Sequence, residues 1–494
     1  MIFVVFTLLS FARAGADNAP AIIQPAPRAY HEDLASAVIT DFFYLLRKNR
    51  NCRYTWLGQV IGEIGTHFNN IAVAALVLQI TGSGLAVGAM LMARAVPAML
   101  AGSAAGVALD RYDRRRIMIA ADVARAAVAA AFLSAMSSEN VWLVYPLSAA
   151  LMLASPFFTS GRIAILPAIA PGADLHTANS LTQTTQWGTQ IVGTMLAGYT
   201  VAWLGYGPAF VINAAAFLIS ASTTLALRLP PGGFRAKRAA SCEAAAHRAA
   251  SPSAGSQPAA ASQAAETPNA APAHKLARLL HPWRDYHDGL RYIARTPLVL
   301  GIGLISVGWA AGGGAAQLLF VLFGEQVFGR GPEGVGSMAG FAGIGLLAGG
   351  LSAHSIGRRV GFRGYKRTVS MAYLSHGLLF ILFSLTQGYL TALFVLAASR
   401  VGMAVTSVLN TAELLKHAPD HFRGRVFGTM ESLRWSTMIL SMAAASFASD
   451  VVSPRAIGVV AGVFGAATGL AWAWADWRGK LPEPANPATP DSPR

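Results

Sequence analysis

The chain has 494 residues, of which 54% are hydrophobic and only 12% are charged. A soluble domain carries about 25% charged residues, so this composition excludes an ordinary soluble protein and indicates an all-α polytopic membrane protein. The net charge of +15 could suit a nucleic-acid-binding protein, but the basic residues cluster between apolar runs. That placement is typical of cytoplasmic loops facing anionic lipid, so we expect contact with the lipid bilayer and none with nucleic acid.

Residues 1–53 are predicted to form an N-terminal cytoplasmic extension. Its first 16 residues contain a short apolar core and a small-residue site around Ala12 to Ala14, as a signal peptide would, but they lack a basic start. A misassigned translation start is the alternative. Four basic residues between positions 47 and 53 precede the first apolar run, and the positive-inside tendency places them in the cytoplasm.

Twelve apolar runs follow, each long enough to supply the ~20 helical residues that cross a ~30 Å hydrocarbon core. We predict two six-helix bundles, over residues 54–229 and 298–477. The predicted spans are 54–80, 84–109, 117–136, 140–166, 178–204, 207–229, 298–323, 333–356, 368–386, 390–412, 424–450 and 454–477. Loop 110–116 carries four Lys/Arg and loop 357–367 carries five, whereas turn 137–140 carries none. This asymmetry predicts that both termini are cytoplasmic.

The segment between the two predicted bundles has two parts. Residues 230–280 are rich in Ala, Pro and Ser, a composition that cannot bury a core, and are predicted to form a disordered cytoplasmic linker. At 281–297 aromatic and aliphatic residues recur at helical spacing, so we expect an amphipathic helix on the inner membrane surface. A short soluble helix is the alternative. Residues 478–494 are predicted to form a disordered cytoplasmic tail.

A charged loop after the second span has a degenerate copy in the second half of the chain. The first copy reads Gly106-Val-Ala-Leu-Asp110-Arg111-Tyr-Asp113-Arg114-Arg115, and the second reads Gly350-Leu-Ser-Ala-His354-Ser-Ile-Gly357-Arg358-Arg359. Two copies in matching places indicate that the chain consists of two related halves.

This loop, the twelve spans and the central linker together resemble the major facilitator superfamily. The stretches from Leu166 to Leu181, Asp288 to Ile293 and Pro419 to Val426 resemble its enterobactin-exporter-like branch, which also holds macrolide, other drug and nickel exporters. The resemblance covers 54–229 and 281–477. It implies a transporter in the bacterial inner (plasma) membrane that is driven by the proton motive force and needs no cofactor.

The resemblance also implies a gate at the charged loop. Asp110 would meet the N-terminus of span eleven when the inner gate is shut, because a carboxylate is stabilised at a helix N-terminus. The predicted gating residues are Asp110, Arg111, Arg114, Arg115, Arg162, Arg423 and Arg425. The alternative is a loop of solvated charges that only orients the protein in the membrane.

Charged residues inside the spans should be paired or face water, since each costs roughly 2.5–3.5 kcal/mol or more at the bilayer centre. Asp122 and Arg125 are three residues apart, as are Glu431 and Arg434. Each pair is therefore predicted to satisfy itself on one helix, in a structural or gating role.

Glu63 and His67 lie four residues apart near the middle of span one and are the candidates for proton coupling. Removal from water favours the neutral form of a carboxyl group, and an imidazole can share its proton. The alternative is that Glu63 pairs with Arg94 or Arg400 and only holds helices together.

Other polar and aromatic side chains in the spans could line a substrate cavity. Two mid-membrane arginines facing one cavity would favour an anionic substrate, and three glutamines share one face of span five. The candidate cavity residues are Asn70, Arg94, Gln183, Gln186, Gln190, Asn213, Trp309, Gln317 and Arg400. Hydrogen bonding between helices is the alternative for each of them. Gly312 to Gly314 are expected to loosen span seven.

The sequence contains no phosphate-binding loop, no Cys-x-x-Cys motif and no His-rich tract, so we expect no ATP-driven pump, no metal site and no enzyme. We expect a monomeric proton antiporter that exports a small amphipathic molecule by alternating access. Its substrate would be siderophore-like or drug-like, which would make it a siderophore or drug-resistance exporter. An importer of an anionic metabolite or siderophore is one alternative, and a non-transporting membrane sensor or scaffold is another.

Overall fold

The computed structural model describes residues 40–172, 174–228, 234, 282–417 and 420–483. The signal-like segment, all of the predicted linker except Phe234, and most of the predicted tail lie outside the described residues. The side chains of His354 and Arg423 lie outside them as well.

Twelve long helices occur at the positions predicted for the spans, and the described ranges contain no β-strand. The helices are α1 (Arg50–Thr81), α2 (Gly84–Arg111), α3 (Arg114–Ala131), α4 (Val144–Ile169), α5 (Asp174–Leu204), α6 (Tyr206–Leu225), α7 (Pro297–Leu322), α8 (Gly331–Arg359), α9 (Phe362–Leu385), α10 (Tyr389–His417), α11 (Asp420–Ala448) and α12 (Pro454–Trp477).

Within the described residues, 10 helices are long and apolar enough to cross a membrane. The protein is therefore an all-α, multi-pass membrane protein. The two long helices outside this set are α5 and α11, which carry polar residues along much of their length. Their assignment as membrane spans stays a prediction.

Polar residues set several helix ends beyond the apolar runs. Asn49 caps α1 by accepting a hydrogen bond from the Cys52 backbone N–H at 3.0 Å, so this helix begins before the predicted span. Asp113 caps α3 in the same way through the N–H of Arg116, also at 3.0 Å. Gly82, with φ of 64°, ends α1 in the left-handed conformation that glycine adopts without strain.

The helices form two compact units. The first contains α1, residues 89–111 of α2, α3 to α6, and residues 323–343. In it α1 packs against α5 and α6, and α3 packs against α4 and α6. The second unit contains most of the remaining chain, and there α9 packs against α10 and α12 while α7 packs against α11 and α12. The predicted bundle boundaries stay a prediction.

A helix forms at Pro282–Arg295, where the sequence predicts an amphipathic helix. It packs against α11 and α7 in the second unit. Its Ile293 is 5% exposed, and a Cβ atom at Gly289 would lie 3.0 Å from the carbonyl oxygen of Arg425. This helix therefore docks on protein through its apolar face, and its position on a membrane surface stays a prediction.

The glycine run in α7 packs helices together, and the expectation that it loosens span seven stays a prediction. The helix is continuous from Pro297 to Leu322. A Cβ atom at Gly312 would lie 2.5 Å from the carbonyl oxygen of Ala461 in α12, and one at Gly314 would overlap the carbonyl oxygen of Met438 in α11. The missing side chains let two backbones approach α7 closely.

Candidate functional site

The centre of the candidate site is Glu63 on α1, which joins three helices of the first unit. Its Oε1 lies 3.0 Å from Nη1 of Arg162 on α4, and its Oε2 accepts a hydrogen bond of 2.6 Å from Thr189 on α5. The side chain of Arg162 is 7% exposed and that of Glu63 is 22% exposed. The partner of Glu63 is thus Arg162, and the alternative in which Glu63 pairs with Arg94 or Arg400 is wrong.

Two further hydrogen bonds fix α1 against α5 beside this ion pair. The indole N–H of Trp56 donates to the hydroxyl of Thr185 at 2.8 Å, and the side-chain amide of Gln59 donates to the carbonyl of Thr182 at 2.8 Å. The carboxylate of Glu63 therefore lies between helices that further polar contacts join.

A second ion pair lies deeper in the same unit. Asp122 and Arg125 of α3 are paired, and their side chains are 0% and 6% exposed. The guanidinium lies 4.6 Å from the ring centre of Phe158 and 4.3 Å from that of Phe217. Arg125 is also close enough to Arg162 for the two charges to repel. The predicted pairing of Asp122 with Arg125 is confirmed.

His67 is separate from the carboxylate that it was predicted to assist. Within the part of the chain that the structure describes, no hydrogen bond joins His67 to Glu63. The imidazole instead packs against α5, where a Cβ atom at Gly193 would lie 2.9 Å from His67 Cδ2. A shared proton-coupling role for the two residues stays a prediction.

Arg94 of α2 is held by amide groups of α1. Its Nη1 donates to Asn69 Oδ1 at 3.0 Å, and its Nη2 donates to Asn70 Oδ1. Asn69, which the sequence analysis did not single out, is fully buried in this contact. These contacts correspond to the interhelical alternative for Asn70 and Arg94.

The three glutamines of α5 lie on one face, as their spacing predicts. Gln183, Gln186 and Gln190 are all exposed, and Trp187 beside them is 47% exposed. Asn213 differs, because it is completely buried against Gly65, whose Cβ would lie 3.2 Å from Asn213 Oδ1. The structure thus separates an open polar face from one asparagine buried between α1 and α6.

The charged loop after α2 is tied to neighbouring helices by two arginines. Arg114 donates to the carbonyls of Leu109 at 3.3 Å and Ala164 at 2.7 Å. Arg115 donates to the carbonyls of Thr224, at 3.3 Å, and Leu225. Cations are stabilised where carbonyl groups at helix ends are unpaired, so these four hydrogen bonds hold the loop in place.

The remaining predicted gating residues of this loop point into solvent-accessible space. The side chain of Asp110 is 76% exposed and lies 4.0 Å from Nη2 of Arg114, and Arg111 is exposed at the end of α2. Arg425 lies in the first half of α11 and is half-buried. The ion pair of Asp110 with the start of span eleven stays a prediction.

In the second unit, Trp309 of α7 borders a cavity of about 120 Å³. Glu431 and Arg434 also line this cavity, and their side chains pair at 2.6 Å as predicted. Gln317, the other predicted cavity residue on α7, is exposed and does not line this space.

Trp309 also borders a much smaller cavity of about 10 Å³ with Arg400 of α10. His376 of α9 lines the same space, and its Nδ1 lies 2.8 Å from the hydroxyl oxygen of Ser399. The sequence analysis missed His376 and Thr189. The signal for the first was an ionisable residue in the middle of span nine, and Thr189 offered none beyond its place on α5.

The comparisons with known proteins agree with this architecture. The model of the Major Facilitator Superfamily matches residues 55–442. The chain therefore belongs to the Major Facilitator Superfamily, as the loop motif and span count predict, and it is a multi-pass membrane transporter of that family.

Two relatives illustrate the range of similarity. An uncharacterised transporter of this superfamily, YfiS from Bacillus subtilis (strain 168), is 26% identical over 421 residues, which are 81% of this chain and 87% of that protein. Macrolide efflux protein A from Streptococcus pyogenes is 25% identical over 182 residues, which are 36% of this chain and 45% of that protein.

Solved structures resemble the fold at low sequence identity. The nucleoside transporter NupG matches with a TM-score of 0.62 and 11% identity, covering 86% of this chain and 98% of that one. A peptide transporter of the POT family in complex with sulfate matches with a TM-score of 0.58 and 14% identity, covering 88% and 96%. These matches bear on the fold alone.

Proposed function

We propose that this transporter is a proton-coupled exporter of a small amphipathic molecule, siderophore-like or drug-like, that works by alternating access. The ion pair of Glu63 with Arg162 carries the proposal, because a half-buried carboxylate that joins three helices is suited to take up a proton and to change helix packing when it does. The similarity to a macrolide efflux protein supports the outward direction and a drug-like substrate.

Proton uptake would act through the charge balance of two neighbouring ion pairs in the first unit. With Glu63 ionised, the charges of Glu63, Arg162, Asp122 and Arg125 sum to zero. Protonation of Glu63 would leave one buried guanidinium without a counterion, which is costly in an apolar interior. The packing that the ion pair stabilises would then be disfavoured, so proton binding would shift the protein toward a second arrangement of α1, α4 and α5.

The open face of α5 supports a polar transport path. Glutamine side chains that faced lipid would lose hydrogen bonds to water, so three exposed glutamines on one face favour a water-filled space. Trp187 on the same face adds an aromatic surface for an amphipathic molecule. We propose that this face of α5, with its three glutamines, contacts the transported molecule.

The loop after α2 would form part of a gate. Arg114 and Arg115 hold its backbone through helix-end carbonyls, while Asp110 stays exposed and available for a partner. We propose that this partner is Arg423 or Arg425 at the start of α11. We further propose that the protein resides in the bacterial inner membrane, acts as a monomer, uses the proton motive force and needs no cofactor.

The test is substrate-induced proton release from inverted membrane vesicles with an acidic lumen. A panel of catecholate, hydroxamate and carboxylate siderophores and amphiphilic antibiotics is added outside, and the pH gradient is followed with a fluorescent dye. We expect at least one compound to dissipate the gradient with the wild type but not with Glu63→Gln. Thr189→Val is the matched control, because it removes a hydrogen bond to Glu63 and keeps the carboxylate; it should retain coupling.

Substrate exchange without a proton gradient separates lost coupling from lost folding. Glu63→Gln should still exchange labelled for unlabelled compound at near wild-type rate. Equal gradient dissipation by Glu63→Gln and wild type would refute Glu63 as the proton site. Dissipation only by compound preloaded in the lumen would identify an importer that moves proton and substrate together, and would refute export.

A further inference from the structure

Five arginines lie at least four residues from either end of a predicted span, and Arg400 differs from the other four in its pairing. Arg125, Arg162 and Arg434 each pair with a carboxylate. Arg94 donates to two asparagine side chains. Among the residues that the structure describes, no carboxylate lies within ion-pair distance of Arg400, although its side chain is 6% exposed.

The surroundings of Arg400 hold the charge without neutralising it. The guanidinium lies 5.2 Å from the ring centre of Phe320 and 5.3 Å from that of Phe380, so both rings offer their π faces to the cation. Its one hydrogen bond in the described structure is a 3.5 Å contact with the sulfur of Met403, and its Nε is buried without a partner. Sulfur is a weak acceptor, so the charge lacks a strong one.

A second buried donor borders the same space. Trp309 is 9% exposed, and its indole N–H has no hydrogen-bond partner in the described part of the protein. Trp309 and Arg400 line the cavity of about 10 Å³, which has room for roughly one water molecule. Trp309 also lines the larger cavity of about 120 Å³, so its side chain borders both spaces.

We propose that Arg400 and Trp309 form a carboxylate-binding subsite, and that the transported molecule is an amphiphile with a carboxylate group. The guanidinium would supply two parallel N–H donors to the two carboxylate oxygens, and the indole would supply a third. The apolar body of the molecule would occupy the larger cavity. This inference rests on the proposed transport function, which it narrows to one class of substrate.

The test uses the purified full chain in detergent and measures its thermal unfolding with graded acids and their neutral amides. The pairs are acetate and acetamide, benzoate and benzamide, and 1-naphthoate and 1-naphthamide, at constant ionic strength set with chloride. A ligand that binds only the folded protein raises the unfolding temperature. We expect at least one acid, and not its amide, to do so with the wild type.

Three variants locate the effect. Arg400→Met should abolish stabilisation by the acid, while Arg400→Lys and Trp309→Phe should weaken its binding by about 10- to 100-fold, the range for one charge-assisted hydrogen bond. Without added acid, Arg400→Met should leave the unfolding temperature unchanged or raise it, because a buried charge without a counterion is removed. Arg162→Met is the matched control and should lower it, because Glu63 loses its partner.

Several results would overturn the subsite. One is that Arg400→Met lowers the unfolding temperature as Arg162→Met does, since Arg400 would then have a partner within the protein. Others are that no acid in the series stabilises the wild type, or that an acid stabilises Arg400→Met equally. Because this binding assay needs no proton gradient, the vesicle experiment can fail while the subsite stands, and the reverse also holds.

Discussion

Replacing Asp122 by Asn should destabilise the protein far more than replacing Glu431 by Gln. Both acids pair with an arginine three residues further along their helix, so the spacing along the helix is matched. The burial differs: the side chains of Asp122 and Arg125 are 0% and 6% exposed, whereas those of Glu431 and Arg434 are 53% and 33% exposed. Comparing the two variants therefore shows how burial changes the contribution of an ion pair to the free energy of unfolding.

The expected magnitudes follow from that difference. Breaking a buried pair leaves the guanidinium of Arg125 uncompensated, which costs about 3–5 kcal/mol. The rings of Phe158 and Phe217 still face this cation, so we expect the lower end of the range. An exposed pair is worth about 0–1 kcal/mol, so Glu431→Gln should change the free energy of unfolding by no more than that.

Thermal unfolding in detergent measures both effects. At roughly 2–4 °C per kcal/mol, Asp122→Asn should lower the unfolding temperature by about 6–12 °C, and Glu431→Gln by less than about 4 °C. The double variant Asp122→Leu with Arg125→Met removes both charges and should restore most of the loss. Equal shifts for the two single variants, or a double variant as unstable as Asp122→Asn, would show that burial of the pair does not set its energy.

The remaining predictions concern the gate, the helix packing and the transport path. Asp110→Asn should abolish export in the vesicle assay but change the free energy of unfolding by less than about 0.5 kcal/mol, because its side chain is exposed. Arg114→Gln should lower the free energy of unfolding by about 1.5–3 kcal/mol in thermal unfolding, because it loses hydrogen bonds to backbone carbonyls. In the same unfolding assay, Gly314→Ala should destabilise the protein by more than about 1 kcal/mol, because its Cβ would overlap α11. Gly350→Ala should stabilise the protein by about 0.5–1 kcal/mol, because no atom lies within 4 Å of its Cβ. Gln186→Cys, in a variant without the two native cysteines, should react with a membrane-impermeant maleimide, and protection from that reagent would contradict a water-filled face on α5.

Helix positions and local ion pairs are predictable from the sequence because both depend on short distances along the chain. The apolar runs place the twelve long helices, and the spacing of three residues predicts the pairs of Asp122 with Arg125 and of Glu431 with Arg434. The helix ends differ from the prediction by a few residues, since caps such as Asn49 act outside the apolar runs.

The partner of Glu63 could not be predicted from spacing along the chain. Arg162 is 99 residues away in the chain, and only the packing of α4 against α1 brings the two side chains to 3.0 Å. Arg94 lies near the middle of its span, where a residue that lines a substrate cavity is expected, yet its side chain donates hydrogen bonds to Asn69 and Asn70. Depth in the membrane can be estimated from position in a span, but the direction in which a side chain points around its helix requires the contacts themselves.

Side-chain direction also separates Asn213 from the glutamines of α5, although the sequence predicts the same cavity role for all of them. All are polar residues within spans, and the sequence assigns each the same choice between substrate and a neighbouring helix. Close approach at Gly65 turns Asn213 into a buried packing residue, whereas Gln183, Gln186 and Gln190 remain open. The burial of these polar side chains thus depends on how closely a neighbouring helix approaches, which the sequence of a residue's own helix does not reveal.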